Sequence, residues 1–189
     1  SSNATAASGL RTQAFGAGAG ADINIFARNL TLQAIARIYT QSYGAGRGGD
    51  IKLNVSDSTS LLENPSYNPA YTTSSIIGTS GAGLISPGGA GNIFLTTNDL
   101  NILGGSQISS TALQNAKGGN INIFTDKTII TGYNQYSFVP SLLISGTQGA
   151  GGGGDLTVNT RQLTLTNGGR VDTSTLASGA GGDLTINAT

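Results

Sequence analysis

One short phrase recurs along the whole chain: two small residues, an Asp or Asn, an apolar residue, any residue, and a second apolar residue. The Asp or Asn stands at six positions, which are Asp22, Asp50, Asn92, Asn120, Asp155 and Asp183. Successive positions are 28, 42, 28, 35 and 28 residues apart, which indicates a 28-residue repeat with insertions in two copies. A chain with such a period is expected to stack one structural unit on the next, because no unit buries its apolar side alone.

Each repeat contains three short segments with an apolar pattern. The first follows the Asp or Asn directly, as at Ile121 and Ile123, and the second lies eight and ten residues on, as at Leu100 and Ile102. In the repeat that begins at Asp50, the second segment offers only Ser58 and Ser60. The third segment is centred on one apolar residue, and the candidates are Leu10, Ile38, Ile76, Ile108, Leu143 and Val171. Alternation with a period of two predicts strands with one buried face.

Three strands per repeat with parallel neighbours predict an all-β fold: a right-handed, three-sided parallel β-helix, or solenoid, of about six coils. Helices are disfavoured because Gly, Thr, Asn and Ser dominate the chain. Many of the 30 glycines lie in the turn that leads back to each Asp or Asn, as in GAGRGG at 44–49. We expect one domain, 1–189, with coils that start near 22, 50, 92, 120, 155 and 183 and loops inserted near 62–75, 84–87 and 132–141.

The Asp and Asn residues of the phrase are predicted to line one corner of the stack. Their side chains are expected to bond backbone amides there and to lie above one another as a structural ladder. Stacked carboxylates would repel, and Asn92 and Asn120 place neutral amides between the acidic pairs at either end.

Composition excludes several classes of partner. Nine basic and nine acidic residues balance each other and are sparse, so we expect neither nucleic-acid binding nor membrane insertion. The sequence has no apolar run long enough to span a bilayer and no signal peptide. Low charge, abundant Ser, Thr, Asn and Gly, and the absence of Cys, Met, His and Trp are typical of a long-lived extracellular surface protein.

The phrases GGDLTVNTRQLTLTNGGRVDTST at 153–175 and GGNINIF at 118–124 resemble the repeats of filamentous-haemagglutinin-like exoproteins. These belong to the two-partner secretion family, and the repeats are similar to those of its large cyanobacterial members. The resemblance covers essentially the whole chain. It implies a β-helical shaft that serves as an adhesin, a stalk or a surface filament. It also implies secretion to the cell surface of a Gram-negative-type bacterium.

Catalysis and metal binding are not expected. Four of the nine acids belong to the corner ladder, and the others are scattered: Asp57, Glu63, Asp99, Asp126 and Asp172. AGGGGD at 150–155 approaches a calcium-binding repeat, but its period is 28 residues and Asp alternates with Asn, which favours a glycine corner. We therefore predict no catalytic residue, no metal and no cofactor. Two weaker alternatives are a polysaccharide-acting β-helix enzyme and an ice-binding face built on Thr164, Thr166, Thr173 and Thr175.

The insertions carry the candidate binding residues. Two of them precede the third strand at the same corner, within ENPSYNPAYTTSS at 63–75 and GYNQYSFVPS at 132–141. They contain five aromatic residues: Tyr67, Tyr71, Tyr133, Tyr136 and Phe138. Solvent-facing rings beside Asn and Gln suit surface glycans or a protein on a host or neighbouring cell. The alternative is that the rings pack on the side of the stack and cover it.

Two further expectations concern the third corner and the ends. Large side chains share the slot five residues after the apolar residue of the third strand, and we predict that they fill the core: Phe15, Tyr43, Leu113 and Leu176. The 21 residues before Asp22 and the seven from Asp183 onward together make one 28-residue repeat. We expect open ends that associate end to end through parallel strand pairing, which would make a filament.

Overall fold

The structure, a computed structural model, describes residues 8–63, 74–81 and 88–189. Within these ranges the regular structure is entirely β-strand, and every pairing between strands is parallel. Six strands form one sheet, in the spatial order β1 (Gly9–Ala14), β3 (Arg37–Ser42), β5 (Ile76–Gly81), β8 (Gln107–Ala112), β11 (Leu142–Thr147) and β14 (Arg170–Thr175). The predicted all-β, parallel class is confirmed.

The second sheet has nine strands and combines the first and second segments of each repeat. Its order is β13 (Gln162–Thr166), β10 (Lys127–Thr131), β7 (Asp99–Leu103), β4 (Ile51–Leu61), β6 (Ile93–Thr96), β9 (Ile121–Phe124), β12 (Leu156–Thr160) and β15 (Leu184–Ala188), with β2 (Ile23–Leu32) also paired to β4. Strand β4 runs through both segments without a break. It pairs with β6 at one end and with β7 at the other, and so joins the two groups.

Every strand pairs with the strand in the same position of the next repeat. In the first segment this produces a continuous column that faces inward, formed by Ile23, Ile51, Ile93, Ile121, Leu156 and Leu184. Columns from the second and third segments face it, and their members join one hydrophobic cluster. Burial of this cluster is the main favourable contribution to folding, since a fully buried Ile or Leu contributes about 1.5–3 kcal/mol.

Two residue assignments from the sequence are wrong by one position. Ile77, not Ile76, pairs with Ile38 and is fully buried. In the second segment of the repeat that begins at Asp50, the inward positions belong to Thr59 and Leu61, not to Ser58 and Ser60. The cause of the second error is a β-bulge in β4. One extra residue there shifts every later side chain of this strand to the opposite face.

The prediction that Phe15, Tyr43, Leu113 and Leu176 fill the core is also wrong. Phe15 and Leu176 are 73% and 76% exposed, Tyr43 is exposed and Leu113 is half-buried. Each of these residues directly follows its strand, and an offset of five is odd, so the side chain points to the side opposite to the buried residue of that strand. The rings of Phe15 and Tyr43 stack on this outer surface with their centroids 5.0 Å apart.

Hydroxyl groups occupy the inner side of that corner instead. Thr40, Thr79, Ser110 and Ser145 are buried on the inward side of the third strands. Ser110 and Ser145 donate to the carbonyls of Gly91 and Gly119, each at 2.7 Å. The corners of successive repeats also lie close together, since a Cβ on Gly119 would lie 1.9 Å from the Gly91 oxygen. The corner glycines are therefore required by close backbone approach, and positive φ values occur instead at the glycines between the second and third strands, Gly104, Gly105, Gly132 and Gly168.

Candidate functional site

The six Asp and Asn residues of the repeated phrase form an unbroken ladder. At each step the side-chain Oδ1 accepts a hydrogen bond from the backbone N–H of the next Asp or Asn. The five bonds run from Asp22 to Asp50, Asn92, Asn120, Asp155 and Asp183, at 2.8–3.0 Å. In return, the residue after each Asp or Asn donates its N–H to the next carbonyl, as Ile93 does to Asn120 at 2.9 Å. The ladder therefore satisfies the backbone of the corner.

Charges along the ladder are partly compensated. Lys52 Nζ lies 3.7 Å from Asp22 Oδ2, and Arg47 pairs with Asp50. Asn92 and Asn120 follow, so the acids Asp155 and Asp183 are separated from the first pair by neutral side chains. These ion pairs are partly exposed and contribute little, whereas the hydrogen bonds along the ladder are regular. The Oδ1 atoms of five ladder residues, from Asp22 to Asp155, are engaged with backbone amides.

The loop between β10 and β11 carries three of the aromatic candidates, whereas Tyr67 and Tyr71 lie outside the described residues. Asn134 holds the loop together, and it is 3% exposed. Its Oδ1 accepts from the N–H groups of Tyr136 and Ser137, both at 3.0 Å, and its own N–H donates to Val139 at 2.8 Å. A buried amide with several bonds fixes the loop conformation.

The aromatic side chains of this loop project into solvent. Tyr133 and Phe138 stack with ring centroids 6.0 Å apart, and Phe138 is 74% exposed. Tyr136 is also exposed. Phe138 has a φ of 58°, a left-handed conformation that costs a non-glycine residue about 1–2 kcal/mol. The pair therefore presents aromatic surface to solvent.

A surface groove of about 530 Å³ lies beside Tyr133. Its other polar lining residues are Gln33, Glu63, Thr131 and Asn167. Amide, hydroxyl and carboxylate groups next to one ring are the combination that recognises a polar ligand with an apolar face. The groove therefore extends the aromatic loop into a candidate binding region.

Three exposed aromatic residues were missed by the analysis of the sequence. Phe26, Phe94 and Phe124 lie on the outer face of the first strands. The signal for them was present, because each stands an even number of residues after the Asp or Asn, where side chains point away from the core. Attention to the inserted loops alone overlooked this face.

Three of the acids outside the ladder, Asp57, Asp99 and Asp126, line one surface groove together with Lys127 and Arg161. Asp126 bonds Arg161 at 2.7 Å, and Asp57 lies 3.8 Å from Arg28. Within residues 8–63, 74–81 and 88–189, no three Asp or Glu side chains are grouped closely enough to hold a metal ion. Burial raises the pKa of the Tyr39 hydroxyl.

Comparisons with family models, curated proteins and solved structures gave no match for this chain. Among the described residues no helix has the length and apolar character needed to cross a bilayer.

Proposed function

We propose that this chain is a right-handed, three-sided parallel β-helix that serves as a non-catalytic shaft of an extracellular surface protein or filament. Successive copies of the chain associate end to end. The right-handed sense follows the general preference of connections between parallel strands. The location on the surface of a Gram-negative-type bacterium, by two-partner secretion, rests on the resemblance of the repeats to filamentous-haemagglutinin-like exoproteins.

The observation that carries the proposal is the contrast between the middle of the stack and its two ends. In the middle, inward side chains such as Ile121 are fully buried. At the two ends, residues of the same columns are exposed, among them Leu10, Leu184 and Ile186. Apolar side chains on an open strand edge favour association with another strand of matching pattern.

The repeat sets the register of that association. If the 28-residue spacing continues between copies, β14 pairs with β1 of a second copy, and β15 pairs with its β2. Val171 would then pack on Leu10, and Leu184 on Ile23. The exposed Leu176 would meet the exposed Phe15, since both occupy the slot just after the third strand. Six repeats at a strand spacing of about 4.8 Å give a rise of about 29 Å per copy.

Sedimentation and electron microscopy of the purified chain test the proposal. We expect particles that lengthen with protein concentration and show a repeat of about 29 Å. Ile186→Lys should shorten them, because it places a charge on the open apolar end. Thr185→Lys is the matched control, since Thr185 is the adjacent residue of β15 with its side chain on the outer face. A single species of monomer mass at every concentration would contradict end-to-end association.

A second candidate function is adhesion through the aromatic loop. The stacked, exposed pair of Tyr133 and Phe138, beside a groove with polar side chains, favours it. The ligand would be a surface glycan or a protein of a neighbouring cell. Alanine at Tyr136 or Phe138 should leave the fold intact and reduce binding to cells or to a glycan array. Unchanged binding in both variants would remove the loop from consideration.

Ice binding is not proposed, because the threonine pairs do not share an outer face. Thr173 pairs with Ser145, which faces inward and is buried. Thr175 Oγ1 donates to the carbonyl of Gly179 at 2.7 Å. Catalysis is not proposed either, because Asp57 and Asp126 are each engaged with an arginine on the outer surface.

A further inference from the structure

The outer face of the first strands has an unusual composition. Its two outward columns contain twelve residues, which pair strand to strand: Asn24, Lys52, Phe94, Asn122, Thr157 and Thr185 in one, and Phe26, Asn54, Thr96, Phe124, Asn159 and Asn187 in the other. Three are Phe, eight are Asn or Thr, and one is charged. Three of the five phenylalanines of the chain therefore stand on this single face.

The phenylalanines are exposed and spaced along the stack. Phe26 is 80% exposed, and Phe94 and Phe124 are also exposed. Phe26 and Phe124 share a column three repeats apart, which is about 14 Å at the usual strand spacing. Phe94 lies between them, two residues to the side, or about 7 Å. The three rings therefore outline a shallow platform as long as a short oligosaccharide.

A groove of about 430 Å³ lies between two of the rings. Phe26 and Phe94 border it, and Asn24, Asn54, Lys52 and Thr96 supply its polar side chains. No side-chain hydrogen bond joins Asn24, Asn54 or Asn122 to another of the described residues, whereas Asn159 and Asn187 bond each other at 2.8 Å. The amides near the rings therefore have all their hydrogen-bonding groups available for a ligand, whereas Asn159 and Asn187 each use one group in their mutual bond.

The charge on this face identifies the class of ligand. Lys52 is the one charged residue of the two columns, and its ammonium group lies 3.7 Å from Asp22. A face so close to neutral offers nothing to an acidic polysaccharide, a nucleic acid or an anionic membrane. Rings separated by amides also differ from the contiguous apolar patch of a protein interface. An uncharged polysaccharide has hydroxyl groups for the amides and apolar ring faces for the phenylalanines.

We propose that the outer face of the first strands, from Phe26 to Phe124, binds a chain of an uncharged polysaccharide. The apolar faces of the sugar rings stack on the three phenylalanines, and the sugar hydroxyls bond Asn24, Asn54 and Asn122. This surface is separate from the aromatic loop, which lies between the second and third strands. One copy of the chain carries all three rings, so binding is independent of end-to-end association.

Binding of the purified 189-residue chain to cellulose, chitin and mannan, with polygalacturonate as the charged comparison, tests the proposal. We expect binding to at least one of the three neutral polymers and none to polygalacturonate. Phe26→Ala and Phe124→Ala should each weaken binding about tenfold, because an aromatic stack contributes on that order to recognition of a ring. Asn159→Ala is the matched control, since Asn159 pairs with Phe124 in the same column.

Three outcomes would overturn the proposal. The first is no binding to any of the three neutral polymers. The second is equal binding by the wild type and the double variant Phe26→Ala, Phe124→Ala. The third is side-by-side association of the protein that this double variant abolishes, which would assign the face to a second copy of the chain. Circular dichroism confirms that each variant is folded, which is expected because both rings are exposed.

Discussion

The repeat that begins at Asn120 and the one that begins at Asp183 open with the same kind of strand, yet the two strands lie in different surroundings. Ile121 and Leu184 occupy equivalent positions in one column. Ile121 is fully buried between Ile93 and Leu156, whereas Leu184 is 45% exposed and has a neighbour on one side. Both residues directly follow an Asp or Asn and begin the same alternation of apolar residues.

The difference shows that the stability of each strand in this chain comes from its neighbours. A strand in the middle has a partner on both edges, and its apolar side chains are covered above and below. A strand at the end has half of those contacts, so the same residues contribute less. Local sequence therefore specifies the conformation of a repeat, and the position of the repeat in the stack determines how much it contributes to the stability of the fold.

The largest expected effect comes from shortening the inward side chains. Ile121→Ala should lower the free energy of unfolding by about 3–4 kcal/mol, because it leaves a cavity in a closed part of the core. Leu184→Ala should lower it by about 1 kcal/mol, because water already reaches that side chain. Urea denaturation at low protein concentration measures both values. Equal losses would mean that the end of the stack is as well packed as its middle.

The glycine corners extend the comparison to the backbone. Gly119→Ala should cost about 2–3 kcal/mol, because the new Cβ would lie 1.9 Å from the carbonyl oxygen of Gly91. Gly18→Ala, near the first end of the described stack, is the matched control, since no atom lies within 4 Å of its Cβ position. We expect its effect to stay within about 0.5 kcal/mol. A tolerated alanine at Gly119 would show that the corners can separate without loss of the core.

The sequence predicted the features that follow from periodicity. The six Asp and Asn positions, the strands that begin after them and the parallel pairing of successive repeats all depend on spacing, and spacing is visible without a structure. The β-bulge in β4 was not visible, because one extra residue can be absorbed at many points of a strand. It caused the wrong assignment of Ser58 and Ser60.

Side-chain direction at corners and on outer faces was less predictable. Phe15 and Tyr43 were assigned to the core because they are large and in register, although their odd offset points them outward. The buried hydroxyls of Thr40 and Ser145 were not anticipated, since their partners are backbone carbonyls of glycine corners, the following corner for Thr40 and the preceding corner for Ser145. Tyr133 and Phe138 are near one another in the sequence of one loop, but only the structure places their rings together.

Removing one of these hydroxyl groups should give a smaller difference in stability between the middle of the stack and its end. Ser145→Ala removes the donor to Gly119 in a buried site and should cost about 1.5 kcal/mol. Thr12 stands in the same column and donates to the carbonyl of Ala21 in an exposed site near the first end, so Thr12→Val should cost less than about 0.5 kcal/mol. Thermal unfolding of the two variants gives the comparison. A similar shift in both would indicate that water does not replace the bond at the end.

Substitutions in the Asp and Asn ladder should change the free energy of unfolding least. Their effect should also depend most on whether copies of the chain associate. Asn92→Ala leaves the N–H of Asn120 without its acceptor, which should cost about 1 kcal/mol at any protein concentration. Asp183→Ala removes a carboxylate that accepts no ladder bond from another described residue, so a dilute sample should unfold as the wild type does. In an end-to-end assembly, however, Asp183 would accept from the N–H of Asp22 in the second copy. Its loss should then lower the stability gained on raising the protein concentration. Unfolding curves at two concentrations, about a hundredfold apart, distinguish these cases. A cost that is the same at both concentrations for Asp183→Ala would place its partner within one copy of the chain and argue against the proposed register between copies.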